Sequence, residues 1–498
     1  VAATTLPYVV AEARPPAGKA FVGAFYYPSD FYNYLSYAQQ AEAGAFLLQN
    51  KVLLDEHRGA LVNLEWWGIG RLAALLGGRL VLAFRLFAIL AVLAFLLVAD
   101  AWLRRLGIPD SHRLPALLLV SLGGGLGGAL FTLLGWPLPR CLDLYAGLFP
   151  FLGLLANPHF VAGTTLLLLS LLAYDEARDA KGWLVATLCA TTLALVRPYD
   201  LLLLVLVRIG VVALTEEPRR VVPRLLPLAG LLPVVAYLYW LFYVNPSFAF
   251  YAQAAYGFPG PRDFAWALVP ALGLALVASK SPPAGSERRA RLALLLWVAL
   301  GLGVIAARPV RFSLQFLVGL GFPLLALGSM ALVRLRPQVA LAVALAFSTS
   351  FLAALGYVSR PNPLWLTDRA NMQVVEALRA ACRPGDVVMA PPEIGLYAYG
   401  LTACRALVSH RIAPDHEDRL ADLSRFGAST PPERLRFLDE RRIRHLVLPG
   451  DAGPVPVTWL GADAPFARVA VASGALSLYT RTAPGPPSSL PAEPARIP

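Results

Sequence analysis

Between Leu80 and Val358 the chain passes through about ten apolar stretches, and the short loops joining them alternate in charge. A helix needs about 20 apolar residues to cross the hydrocarbon core of a bilayer. Inside that core only helices and closed barrels leave no backbone group unpaired. The stretches run approximately over 80–103, 114–136, 159–174, 183–197, 200–214, 225–244, 264–279, 292–307, 311–334 and 338–358. Those at 159–174, 183–197 and 200–214 are short for a crossing. Tilt, extension into polar flanks or re-entry there leaves the span count open by about two.

One set of loops carries Arg104, Arg105, Arg113, Arg178, Lys181, Arg219, Arg220, Arg224, Lys280, Arg288, Arg289, Arg291, Arg334 and Arg336, fourteen basic residues. The alternate set carries five, namely Arg140, Arg197, Arg262, Arg308 and Arg311. The bias holds in each loop pair except the one next to Arg308 and Arg311, where the counts tie. Lys and Arg concentrate in cytoplasmic loops, so the first set faces the cytoplasm. Residues from about 15 to 79, and those after about 358, then lie outside. Val1–Ala13 is too short to span, and the reading expects one more helix upstream with Thr5–Val10 as its outer end.

The composition agrees with that class. The 498 residues are 57% hydrophobic and 15% charged, against about 25% charged in a soluble domain. The net charge of +12 belongs to the loop arginines. No soluble stretch shows a basic patch interleaved with aromatics, so a nucleic-acid partner is excluded. Gly123-Gly124-Gly125-Leu126-Gly127-Gly128 fits a dinucleotide-binding pattern by letters alone. It sits inside an apolar span with no strand before it, so close helix packing is the better reading.

From about Ser359 the pattern changes to short strands and helices. Asn371–Cys382, Asp415–Phe426 and Pro432–Arg442 read as helices. Asp386–Ala390, Arg405–Ser409, Arg444–Pro449 and Arg468–Tyr479 read as strand segments, together a small α/β domain. His410, His416 and His445 read as surface or packing residues, since neither a phosphate loop nor a nucleophile elbow accompanies them. Cys382 and Cys404 share this outer region. A disulfide and two separately buried thiols both stand open, the thiols being the plainer reading. Four segments result: 1–79, an outer loop region with interfacial helices; 80–358, the membrane helices; 359–482, the outer α/β domain; and 483–498, a Pro-rich disordered tail.

The most informative stretch is Phe25-Tyr26-Tyr27-Pro28-Ser29-Asp30-Phe31-Tyr32-Asn33-Tyr34-Leu35-Ser36-Tyr37. Ser29 or Asp30 is placed to cap a helix starting after Pro28. Its tyrosines suit an interfacial belt. Beside that bland reading stands a chemical one, in which Asp30 at a cavity mouth takes a proton from an acceptor hydroxyl. Asp55, Glu56 and Glu65 are carboxylates of a solvated loop, or else bind a metal or position substrate; a divalent metal stays an open question. Trp66 and Trp67 read as interface anchors. Asn157-Pro158-His159-Phe160 and Arg197-Pro198-Tyr199-Asp200 sit where outer loops meet spans. Ionisable groups at membrane depth merit a functional hypothesis. Arg85 and Arg208 lie within apolar spans, Arg85 within reach of the outer surface. Arg308 and Arg311 place two guanidiniums at the outer face, a fork that matches phosphate oxygens.

Taken together, these features resemble the bacterial GT-C superfamily of integral-membrane glycosyltransferases, relatives of the protein O-mannosyltransferases and the lipid A aminoarabinose transferases. The features are an outward first loop with Asp30 before a Tyr-rich helix, the Asn157-Pro158-His159 and Arg197-Pro198-Tyr199-Asp200 span ends, and an outer α/β tail. The resemblance implies about 10–11 transmembrane helices in a bacterial inner membrane. It implies transfer of a sugar from a polyprenyl-phosphate-linked donor to a glycan, lipid or protein acceptor on the outer face, usually with inversion. By position it makes Asp30 the base, with Glu56 or Glu65 as a second acidic residue. Arg308, Arg311 and Arg85 would hold the lipid phosphate, and Asn157, His159, Arg197, Tyr199 and Asp200 would line the substrate site. Two rivals stand beside it: a transporter or flippase of lipid-linked sugars, which should show related halves and broken helices, and a non-catalytic envelope assembly protein.

Overall fold

The computed structural model describes residues 1–135, 145, 147–253, 258–279, 285–309, 311–359, 362–449, 465–469 and 476–482. Arg140, Cys141, Lys280 and the Pro-rich tail from Ala483 lie outside them. Each of the ten apolar stretches is largely helical over its described residues. Among the described residues, six helical segments are long and apolar enough to cross a membrane, or eight if each of two bent helix pairs is one span. Pro158–Glu176 and Ala180–Val196, with 19 and 17 residues, account for the other two stretches. Leu90, Leu97, Leu188, Leu214 and Leu276 stay exposed on the outside of the bundle, where lipid rather than water would cover them. Gly321–Leu332 is the reverse, with each of its residues buried.

The described residues of the arginine-rich loops gather at one end of the bundle. There Arg105 pairs with Asp175 at 2.6 Å and with Glu176. Arg289 reaches Glu216 at 2.8 Å and Asp175 at 3.6 Å, and Arg224 reaches Glu216 at 3.7 Å. His112 contacts the Leu335 carbonyl at 2.9 Å. Arg208 belongs here as well. It lines a cavity of about 20 Å³ with Trp102, Arg105, Asp175 and Arg289. At the other end Asn63 donates to the Val196 carbonyl at 3.2 Å and Asn50 to that of Ser247 at 2.8 Å.

Gly123, Gly124 and Gly125 do not continue a helix. They separate Asp110–Leu122 from Leu126–Leu134, which meet at 69°. The close approach expected of them is nonetheless present. A Cβ on Gly124 would lie 2.2 Å from Ser350 Oγ, and one on Gly125 2.4 Å from the Ala267 carbonyl. The second bent pair, Pro337–Ala346 and Thr349–Val358, turns by 41°, and Ser350 sits just past its break.

The C-terminal domain has a five-stranded mixed sheet in the order Arg405–Ala406, Val387–Met389, Ile443–Pro449, Leu476–Arg481, Phe466–Val469. The first three strands are parallel and the last two antiparallel. Arg369–Ala381, His416–Ala428 and Pro431–Glu440 are the helices expected, and Pro392–Leu401 is an additional one. Cys382 and Cys404 are disulfide-bonded rather than separate thiols. This bond ties the end of the first helix to the start of the edge strand.

The domain is fastened at several points to the region that precedes Leu80. Lys19–Phe21 pairs antiparallel with Leu366–Asp368. Tyr399 donates to Asn33 Oδ1 at 2.6 Å. A Cβ on Gly400 would strike Tyr32 at 2.7 Å. Lys51 is buried and donates to the carbonyls of Tyr399 and Thr402 at 2.7 and 2.6 Å. Burial, with the nearby Arg405 charge adding to it, lowers this ammonium to about 7. Below that pH the folded and unfolded chains both hold the proton. Between about 7 and the ordinary 10.5 the unfolded chain binds more, so stability rises with pH. In detergent, the thermal midpoint of the parent protein should therefore climb between pH 7 and 9 relative to that of Lys51→Met. Parallel profiles for the two proteins would show that the buried ammonium does not titrate in this range.

Candidate active site

The helix Pro28–Glu42 organises the arginine-poor end. Pro28 takes its first position, where the missing N–H costs nothing. Tyr27 precedes it in the left-handed region, φ 47°. Neither Ser29 nor Asp30 caps the helix. Both lie inside it, Asp30 in the first turn, where a carboxylate meets the positive end of the helix dipole. Nor is the helix interfacial: Phe31, Tyr32, Leu35, Tyr37, Ala38 and Ala41 are all buried. It lies between Leu64–Leu75 on one side and Pro392–Leu401 of the C-terminal domain on another.

Asp30 stands at the edge of this packing with its side chain 35% exposed. Its Oδ1 lies 3.0 Å from Nε2 of His410, which is buried. His410 follows the edge strand Arg405–Ala406, and its Nδ1 accepts the Ile412 N–H at 3.1 Å.

One turn along, Tyr34 stacks on Trp66 with ring centroids 4.5 Å apart. The Tyr34 hydroxyl is 3.4 Å from His159 Nε2, and the Trp66 and His159 rings are 5.6 Å apart. Trp66 is thus buried in the site and is no surface anchor. Asn63 sets its position by capping Leu64–Leu75, accepting the N–H groups of Glu65 and Trp66 at 3.1 Å. Glu65 points elsewhere. Both its oxygens are buried with no hydrogen-bond partner among the described residues. Burial raises its carboxyl well above the ordinary range.

Beyond His159 the two span-end motifs converge. Arg197 Nε is 3.3 Å from Asp200 Oδ2, both side chains being buried. Arg197 Nη2 donates to Gln315, to the backbone carbonyl at 2.6 Å and to Oε1 at 3.0 Å. Gly163 makes the room: a Cβ there would lie 2.5 Å from Arg197 Cδ and 3.0 Å from Asp200 Oδ2. Asn157 carries the turn into Pro158–Glu176 but caps nothing with its side chain. Both of its amide atoms, His159 Nδ1, Arg197 Nη1 and Asp200 Oδ1 are buried and unpaired among the described residues.

Tyr199 turns to a different feature. With Leu202, Val205, Leu238, Phe242, Tyr251, Phe312 and Phe316 it lines an apolar groove of about 450 Å³. The groove lies between Pro198–Thr215 and the 235–243 segment. At its head Tyr251 contacts the Tyr37 hydroxyl at 3.2 Å, on the same helix as Asp30. Arg311 donates to the Gln253 carbonyl at 3.2 Å beside this head. Arg308, also exposed, lies over the Phe258 ring at 3.9 Å.

Three expected site residues are placed apart from this arrangement. Arg85 donates to the Gly23 carbonyl and lies over the Tyr8 ring at 3.5 Å, so its guanidinium holds the N-terminal loop. Glu56 lines a separate polar cleft with Gln49, His57, Arg58, Gly385 and Arg405. Glu65 is sealed in. Among the described residues, three metal-type ligands come together at Cys382, Cys404 and His445, and the first two are consumed in the disulfide. At Asp30 the neighbouring donor is His410 Nε2, which does not amount to a metal site. His410, Tyr34 and Gln315 were not expected from sequence. The one sequence signal for His410 was its place just beyond the carboxyl end of a parallel strand.

No protein-family model matches the chain, and no curated protein matches it by sequence. Solved structures do match by shape. The chain superposes over 96% of its length on 96% of ArnT from Cupriavidus metallidurans, a structure bound to undecaprenyl phosphate, with a TM-score of 0.54 and 14% identity. It superposes over 90% of its length on 68% of an oligosaccharyltransferase from Archaeoglobus fulgidus tethered to an acceptor peptide, with a TM-score of 0.51 and 11% identity. The chain therefore shares the fold of these two proteins, a bundle of long apolar helices followed by a C-terminal sheet domain.

Proposed function

We propose that this protein transfers a sugar from a polyprenyl-phosphate-linked donor to an acceptor at the outer face of a bacterial inner membrane. The observation that carries the reading is the apolar groove, whose aromatic head touches the Asp30 helix through Tyr251 and Tyr37. A long isoprenoid fits a groove of that character, and its phosphate would lie at the Arg311 end. The fold neighbour from Cupriavidus metallidurans was solved with undecaprenyl phosphate. The gathering of the arginine-rich loops at the other end supports the orientation.

In this reaction Oδ2 of Asp30, the oxygen not held by His410, takes the acceptor proton as the acceptor oxygen attacks the anomeric carbon. The bond between that carbon and the phosphate oxygen breaks, and the polyprenyl phosphate departs with the electron pair. A single displacement of this kind inverts the anomeric centre. Arg311 and Arg308 would stabilise the charge that grows on the phosphate. The unpaired atoms of Asn157, His159, Arg197 and Asp200 offer buried donors and acceptors to sugar or acceptor hydroxyls. Arg85 and Glu56 serve structure in this scheme.

The flippase alternative draws on the two bent helix pairs. Their breaks meet, but Gly124 and Ser350 close against one another with no space between. The buried charged residues of the candidate site lie elsewhere, at the Asp30 end.

Three outcomes test the scheme. Asp30→Asn should lower kcat by about 10²–10⁴-fold with the donor KM nearly unchanged, as loss of a general base does; unaltered turnover in well-expressed membranes would remove Asp30 from the chemistry. Leu202→Trp should raise the KM for undecaprenyl-phosphate-linked donors more than for short-chain analogues, and an equal effect on both would place the lipid outside the groove. Glu65→Gln should keep the thermal midpoint and turnover at pH 7 near those of the parent. A neutral acid and an amide occupy the same space, whereas Glu65→Lys, burying an unpaired charge, should unfold the loop.

A further inference from the structure

We infer that His410 of the C-terminal domain is a positioning residue for the base, acting as a fixed hydrogen-bond donor to Asp30 and not as a proton relay. This rests on the reading of Asp30 as the general base and extends it to a second domain.

The argument is one of hydrogen-bond direction. A backbone N–H can only donate, so Ile412 N–H, 3.1 Å from His410 Nδ1, requires a lone pair there. The ring proton of that tautomer is on Nε2, which lies 3.0 Å from Asp30 Oδ1. The donor thus occupies Oδ1 and leaves Oδ2 to the acceptor. A second proton on Nδ1 would face the Ile412 N–H, so the ring cannot accept one without giving up that bond. The proton taken by Asp30 therefore leaves through its exposed side and not through the imidazole.

The segment carrying His410 is immobilised from several directions. Cys404, at its start, is bonded to Cys382. Arg405 Nη1 donates to the Leu54 carbonyl of the outer loop at 2.7 Å. Leu407 N–H donates to the Val388 carbonyl at 2.9 Å within the sheet. Helix Pro392–Leu401 presses so closely that a Cβ on Gly395 would lie 2.2 Å from the Val408 carbonyl. His410 is 4% exposed, while its partner carboxylate is 35% exposed. A rigid, buried donor against a half-open acceptor is the arrangement that orients a base without quenching it.

The test uses the full-length protein in membranes and an undecaprenyl-phosphate-linked sugar that the parent consumes, read as release of undecaprenyl phosphate. His410→Leu should lower kcat by about 10- to 100-fold with KM held within about twofold, the scale of a hydrogen bond to an ionised group. His410→Gln can still offer a donor at the Nε2 position and should retain most of the activity. His410→Asn, too short to reach Asp30, should behave like His410→Leu. In the Asp30→Asn background, His410→Leu should cost nothing further, because its effect passes through the carboxylate. Equal losses in the Gln and Asn variants, or an undiminished loss in the Asp30→Asn background, would overturn the inference and leave His410 a packing residue. If Asp30→Asn alone is fully active, the base reading fails first, and the two failures are thereby distinguished.

Discussion

The placement of everything at this site depends on one buried helix. Pro28–Glu42 gives its apolar side chains to a cluster shared by the first membrane helix of the described chain and by the C-terminal domain. Tyr32 makes the dependence explicit. It donates to the Val22 carbonyl at 2.8 Å, packs on Tyr397 at 4.8 Å and closes against Gly400. A helix so enclosed cannot slide or rotate without opening three contacts at once. Asp30, on its first turn, inherits that rigidity while remaining at the edge of the packing. Tyr34 and Tyr37, one and two turns on, pass the same rigidity to the His159 cluster and to the head of the groove.

Much of the membrane part was legible in the sequence because its cause is local. Apolar runs give the helices, and loop arginines give the two ends. The structure then joins Arg105, Arg224 and Arg289 to Asp175 and Glu216 at one end. Where local pattern and tertiary packing compete, the sequence misleads. The tyrosines of the Asp30 helix have interfacial chemistry, yet Tyr32 packs on Tyr397 of the C-terminal domain, Tyr34 on Trp66 and Tyr37 against Tyr251. Trp66 reads as a lipid anchor, yet it is 4% exposed and stacked on Tyr34. The glycine run looks like an uninterrupted packing stripe, yet the same small residues that permit close approach also permit the bend. The pairing of His410 with Asp30 was illegible because the two lie 380 positions apart. No periodicity encodes a contact made only when two domains dock.

The converging span ends present a different energetic situation. Buried amides, imidazoles and guanidiniums are normally satisfied by the protein. Here Asn157 has neither of its side-chain atoms paired, and His159, Arg197 and Asp200 each keep one or more unpaired among the described residues. The cost of leaving such atoms dry is recovered if water or substrate hydroxyls complete them. Arg197 is half committed already, through Gln315 and Asp200, which fixes its direction and leaves Nη1 open. Such a group is oriented before a ligand arrives, so little ordering remains to be done on binding.

The segment between Pro28 and Glu65 also places two carboxylates in contrasting surroundings. Glu65 sits behind the Asn63 cap with no hydrogen-bond donor to its carboxyl among the described residues, and burial raises it toward the neutral acid. Asp30 has solvent on one side and a donor aimed at one oxygen on the other. A carboxyl group sealed away from donors cannot carry charge cheaply, and a group that cannot carry charge cannot accept a proton in a reaction at neutral pH. Between the two, environment rather than residue type favours Asp30 for the proposed role of base. The selection is made jointly by the helix that keeps it at the surface of the packing and by the domain that brings His410 against it.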